Sequence, residues 1–459
     1  MNKSIRYIAA ICVGMTATII PVSCSDKSQA DKGADTPMWL ESDSVEAVQS
    51  RTAWDFRLTR SELLEAIQMQ HPEVTDADID TFIARHYVEA KDINGEQKFH
   101  RKSPRNLNLL NPAFSEPASR GGDVSAVRIS HVDSILDYYR GKNPVGLKHA
   151  IKYRINIDVP YDAAIAGDTL RVWLPVPVAS QRQSDIVIES SYPVEHILSD
   201  NRSVHNSIYL EQPAPAPGDT AHFEYVGSFV NSGEYFAPET ILAQLKPYDK
   251  SSELYRKYTA MQAPHIVNLD SLARTIVGDE TNPFKQSELV FDYITSNYPW
   301  AGAREYSTIE CIPQYVLEEG HGDCGQVTLL YISLMRSLGV PARWESGWVV
   351  TPGATNLHDW AETYFEGIGW VPVDTSFGRY TGSDDPEVVN FFSHGIDSQR
   401  LAANKGIGSA FYPPKKFVRS ETVDFQLGEV ECSKGNLFYP AWNCHFEVIS
   451  FEPIESQNK

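Results

Sequence analysis

Downstream of Cys324 the apolar residues Val327, Leu330, Tyr331, Leu334, Met335 and Leu338 recur along one face of a helix, and Gly339 stands where such a helix would end. A face this apolar must lie under other structure, so the chain around it folds as a packed core. Gly322 gives a tight approach to the helix and Asp323 stands at its cap position. Cys324 therefore falls in the first turn, where unpaired amide hydrogens and the helix dipole favour a thiolate.

Two later segments change what that cysteine means. Residues 358–365 read as a strand that starts at His358, and residues 370–374 as its partner, with 366–369 as the turn between them. A hairpin centred there brings position 358 near positions 374–377. An imidazole and the carboxylate of Asp374 then lie side by side, and a cysteine helix packed on the hairpin adds a nucleophile.

The rest of the chain has its own periods. Residues 1–23 carry Lys3 and Arg6, an apolar run and Pro21, which together read as an export signal ending before Cys24. Residues 24–50 are polar and read as a flexible tether. Residues 51–112 turn helical, with Thr59 and Glu62, then Thr75 and Asp78, as start signals for two amphipathic segments. Residues 113–146 read as a linker. Over 147–250 the period switches to two, with turn residues between short strands, which predicts a β-sandwich. Residues 251–400 mix helices and strands. Residues 401–459 return to strands, expected to pack on that mixed region.

Charge narrows the function classes. Forty Lys and Arg against sixty Asp and Glu give −20, and loss of residues 1–23 removes two positive charges and leaves −22. That balance argues against a duplex nucleic-acid binder, so no nucleic-acid partner is expected. Neither a Cys/His spacing nor an Asp-rich loop fits a metal, so no metal and no cofactor are expected. Cys432 and Cys444 are suited equally to a disulfide across a hairpin loop or to two reduced thiols.

Gly322-Asp323-Cys324-Gly325, then residues 334–343 ending in Val-Pro-Ala-Arg, then His-Asp-Trp-Ala-Glu from 358, then Gly-Trp-Val-Pro-Val-Asp ending at 374, resemble the transglutaminase-like core of bacterial proteins. The resemblance covers roughly residues 280–380, and the blocks stand in the family's order. It implies an α+β, papain-like core with a Cys-His-Asp triad placed on Cys324, His358 and Asp374. It implies that an upstream aromatic or Gln helps to hold the oxyanion, for which Trp300 and Tyr298 are the candidates beside a reading of both as core aromatics. Residues 21–24 resemble a bacterial lipoprotein signal in which Cys24 is lipidated and anchors the chain to the outer membrane. Ser25-Asp26-Lys27 resembles the export tag of Bacteroidetes surface lipoproteins. The chain departs from the family at Asp359, where a small residue is usual, and this side chain is expected to face solvent. His321 is expected to be solvated, and Arg343 with Glu362 to form a structural ion pair.

The expected activity is that of an extracytoplasmic cysteine hydrolase, periplasmic or at the cell surface, that cleaves amide bonds of a protein or peptide through an acyl-enzyme. Two alternatives stay open: a protein-crosslinking transglutaminase, and a surface binding or scaffold module that keeps the fold without the chemistry.

Overall fold

The computed structural model describes residues 39–114, 122–142, 147–200, 202–379 and 383–454. Cys24 and the export signal lie outside the described residues. Among the described residues no helix is long and apolar enough to cross a membrane.

The alternating segments form a β-sandwich. One sheet is four-stranded, with Lys148–Pro160 flanked by Asn443–Pro453 and Thr220–Ser232, and Gln183–Tyr192 at the far edge. The other is six-stranded and centred on Thr169–Pro175, which pairs with Ser207–Pro213 on one side and Glu429–Glu431 on the other. Ile155, Ile157, Val172, Leu174 and Phe223 fill the space between the sheets and are fully buried, as the period-two pattern requires.

The C-terminal strands correct the sequence reading. Glu429–Glu431, Asn436–Leu437 and Asn443–Pro453 complete the two sandwich sheets, while Arg400–Asn404 joins the mixed region. Pairing partners this distant in sequence leave no local signal, which is why the two destinations could not be separated. Cys432 and Cys444 are both free thiols.

The N-terminal module is helical, and its start signals behave as expected. Thr59 and Glu62 form a reciprocal capping box, as do Thr75 and Asp78. Leu63, Ile67, Ile79 and Phe82 close its small core. Two helices extend beyond the expected bounds. Ser44–Asp55 begins inside the expected tether, and Gly122–Tyr139 occupies the expected linker. Asp43 caps the first of these by accepting from the amides of Val45 and Glu46. Burial of Arg51 against Glu41 then fastens that helix to the body.

The mixed region is built on a four-stranded antiparallel sheet in the order Gly369–Val373, Asn356–Phe365, Ala342–Val349, Arg400–Asn404. The cysteine helix, Cys324–Ser337, packs across one face of it. Val327, Leu330, Tyr331 and Leu334 meet Ala342, Trp344, Ala361 and Val373 in one buried cluster. Gly347 is required by the neighbouring strand, since a Cβ there would lie 1.9 Å from the carbonyl oxygen of Leu401.

Candidate active site

The cysteine helix starts as the sequence predicts. Asp323 accepts from the amide of Gln326 at 3.1 Å, and the Gln326 side chain accepts from the amide of Asp323 at 3.0 Å. Gln326 is thereby used as a buried cap. Gly325 follows because nothing larger fits: a Cβ there would meet the Tyr306 hydroxyl at 2.3 Å and Asp359 Oδ2 at 2.7 Å.

The hairpin also forms, with Ala361 opposite Val373 and Phe365 opposite Gly369. His358 Nε2 and Asp374 Oδ2 are 2.7 Å apart, both buried. Arg400 Nη1 stands 2.9 Å from the same carboxylate oxygen and Asp374 Oδ1 accepts from the amide of Phe377. Burial alone would raise the Asp374 carboxyl, but His358 and Arg400 overcome it and hold the group well below the usual carboxylate range. The Phe377 ring stacks on the imidazole at 4.2 Å between centroids.

The half-buried Cys324 is turned toward the other side of the same strand. Its thiol donates to Asp359 Oδ2 at 3.2 Å. Consecutive strand residues point to opposite faces, so Asp359 reaches the helix face while His358 lies with Asp374 on the opposite face. The structure thus pairs His358 with Asp374 and pairs Cys324 with Asp359. Asp359 does not face solvent: it is 3% exposed. Gln426 donates to Asp359 Oδ1 at 2.7 Å and to the carbonyl of His358 at 3.0 Å.

A cavity of about 440 Å³ opens on Cys324 between the N-terminal module, which supplies Trp54 and Lys102, and the C-terminal segment, which supplies Glu421 and Asp424. Its carboxyls have few cations against them. Burial first, and then the charge of Asp323, push the Asp359 carboxyl up to about 8. Burial and Asp359 push Asp424 well above the carboxylate range, and burial and Asp424 do the same to Glu421. Burial, then Asp359 and Asp323, push the Cys324 thiol well above its ordinary value. The helix dipole expected to favour a thiolate is outweighed here by desolvation and two neighbouring carboxyls.

Other expected residues fall elsewhere. The Tyr298 hydroxyl bonds to that of Tyr293 at 3.0 Å. Trp300 is 36% exposed with Arg105 over its ring, although its backbone bridges to Gly322. Among the described residues neither lines the cavity; the tyrosines that do are Tyr439 and Tyr306, and the latter donates to Asp323 at 2.5 Å. His321 is buried at 3% exposure, and that burial lowers it to about 4, so it is not a solvated loop residue. Arg343 and Glu362 pair as expected at 2.5 Å. Tyr306, Asp424, Gln426 and Arg400 carry no motif in the sequence and come to the site through tertiary pairing alone. Among the described residues no group of His, Cys, Asp and Glu is arranged to hold a metal ion.

Known proteins resemble this core. Residues 270–375 match the transglutaminase-like superfamily core. The chain is 24% identical over 288 residues to the uncharacterized protein YebA of Bacillus subtilis, covering 54% of this chain and 37% of that one. It is 24% identical over 272 residues to an uncharacterized protein of Haemophilus influenzae, covering 50% and 69%. The chain thus spans little more than a third of the Bacillus protein's length. Among solved structures, a candidate cysteine protease from Cytophaga hutchinsonii aligns with 14% identity and a TM-score of 0.41 over 68% of this chain and 94% of that one. The periplasmic domain of TgpA from Pseudomonas aeruginosa aligns with 12% identity and a TM-score of 0.24 over 50% and 88%. The matched segment holds the cysteine helix, the hairpin and the pair on it, and over that segment the chain is similar to the transglutaminase-like superfamily core.

Proposed function

We propose that the protein is an extracytoplasmic cysteine hydrolase that cleaves an amide bond, peptide or isopeptide, in a protein or peptide substrate. The observation that carries this reading is the buried 2.7 Å bond between His358 and Asp374, one residue along the strand from the partner of the Cys324 thiol. With Nε2–H donated to Asp374, the imidazole keeps its lone pair on Nδ1 and is stabilised when it becomes a cation. In this proposal the Cys324 thiol must first leave Asp359 and come round the strand edge to His358, which takes its proton as Sγ attacks the carbonyl carbon and returns it to the departing amine. The thioester left on Cys324 is then opened by water, which restores the thiol. Arg400 and the amide of Phe377 keep Asp374 ionised for this work.

Export and a lipid on Cys24 complete the proposal, with the outer membrane as the attachment site; incorporation of a labelled fatty acid that Cys24→Ala abolishes tests it.

The chemistry is tested by trapping. The mature protein, incubated with a panel of peptide and isopeptide amides, is expected to accumulate an acyl adduct on Cys324 and to lose turnover in Cys324→Ala. His358→Ala should slow turnover by about 10²–10⁴-fold. One observation favours a second reading, a binding module without chemistry: the thiol is bonded to a carboxyl and raised. Absence of any adduct and of any turnover across the panel would leave that reading in place.

A further inference from the structure

A buried carboxyl lies against the thiol proposed as nucleophile. Asp359 is buried, its Oδ2 is 3.2 Å from Cys324 Sγ, and its Oδ1 is fixed by Gln426 at 2.7 Å. Both oxygens therefore receive donors, a thiol on one and an amide on the other. The strand's alternation fixes this arrangement. Asp359 is turned to the cysteine helix by the same geometry that turns His358 away from it.

Building on the hydrolase reading, we infer that Asp359 is a positioning residue that takes the hydrogen bond of the Cys324 thiol and holds it neutral and weakly nucleophilic in the free protein. Ionising Cys324 in place would set a thiolate 3.2 Å from one carboxyl, with a second at the adjacent Asp323. Like charges at that spacing oppose ionisation strongly in a partly buried site. The surroundings supply little relief. From the helix comes Asp323, whose carboxylate is engaged by Tyr306 of the 302–306 loop. From the C-terminal segment come Asp424 and Glu421, both carboxyls, with Arg419 at longer range. From the N-terminal module come Lys102, whose ammonium is spent on the carbonyl of Ala303 at 2.5 Å, and Arg101, which pairs with Asp55 and Glu305 at 3.0 Å, and from the loop facing them comes Arg304, 3.7 Å from Glu89. The raised thiol and the raised Asp359 carboxyl agree with this geometry.

The test is the rate of Cys324 alkylation by iodoacetamide from about pH 5 to about pH 9, read by peptide mass spectrometry so that Cys311, Cys432 and Cys444 are scored separately. Wild type is compared with Asp359→Ala and Asp359→Asn, each with and without His358→Ala. Asp359→Asn preserves the side chain's shape and keeps the test valid where the alanine variant does not fold. Removing the carboxyl is expected to speed labelling between about pH 8 and about pH 9, where Asp359 loses its proton, by about tenfold, as a downward shift of about one unit in the thiol's midpoint requires. A purely structural role would alter unfolding but leave that midpoint in place. Labelling of the folded variants no faster than wild type overturns the inference. The His358 background separates it from the hydrolase reading. If His358→Ala cancels the gain, both assignments hold. If the gain persists, Asp359 holds the thiol and His358 is not its base. If wild type already labels fast near pH 6 and only His358→Ala slows it, Asp359 has no such role and the triad stands.

Discussion

The two faces of the strand Asn356–Phe365 place carboxylates in opposite electrostatic company. On one face Asp374 has the imidazole of His358 and the guanidinium of Arg400 against it, and its carboxyl is held low. On the other face Asp359 has the Cys324 thiol, the Gln426 amide and the carboxyl of Asp424, and its own carboxyl is pushed up to about 8. Both are buried, so burial cannot explain the difference. Neighbouring charge does. One strand therefore carries a charge-balanced half built to stay ionised and an unbalanced half built to keep protons, one residue apart.

The balanced half should be the costlier to disturb. Arg400 is fully buried and bonds Asp397 through Nε and Nη2 at 3.2 and 2.8 Å, as well as standing 2.9 Å from Asp374. Arg400→Ala strands two buried carboxylates and is expected to destabilise the protein by about 3–5 kcal/mol, read by urea unfolding at neutral pH. A cost below about 1 kcal/mol would mean that Asp374 does not depend on this cation, and the comparison would lose its first half. The seam between helix and strand should be less sensitive. Gly325→Ala puts a methyl 2.3 Å from the Tyr306 hydroxyl and 2.7 Å from Asp359 Oδ2, for an expected cost of about 1–3 kcal/mol in the same assay. It should also displace Asp359 from the thiol and so raise Cys324 alkylation between about pH 8 and about pH 9.

Much of the balanced half was legible in the sequence. The helix followed from the spacing of Val327 to Leu338, its cap from Asp323, and the hairpin from the turn at 366–369. Pairing His358 with Asp374 needed only the register that this turn sets. The unbalanced half was not legible. Period-two alternation puts 358 and 359 on opposite faces, but which face meets the helix is a tertiary fact, so Asp359 read as a solvated charge. Asp424 and Gln426 lie more than sixty residues downstream, in a segment whose path is set by strand pairing with the sandwich. Tyr306 carries no spacing signal, and the oxyanion role implied for Tyr298 and Trp300 met side chains engaged with Tyr293 and Arg105.

The smallest expected effect bears on the unbalanced half and comes from its protons. A carboxyl whose folded value is raised binds a proton in the native state at pH values where the unfolded chain has lost it. Its contribution is fully present below the unfolded value, near 4, and is lost as pH rises through the folded value of about 8. Between those limits Asp359 should make unfolding free energy fall with rising pH, by at most about 1.4 kcal/mol per unit for one proton. Asp424 and Glu421 act in the same direction, so the wild-type slope is a sum. Asp359→Asn removes one share of it, and unfolding curves at about pH 5 and about pH 8 should lie closer together in the variant than in wild type. Arg400→Ala should not narrow that spacing, because the buried Asp374 carboxyl, having lost its cation, rises toward this window and adds to the slope. If the two variants flatten the slope equally, the protons do not belong to the Cys324 face, and the two sides of the strand are not electrostatically distinct.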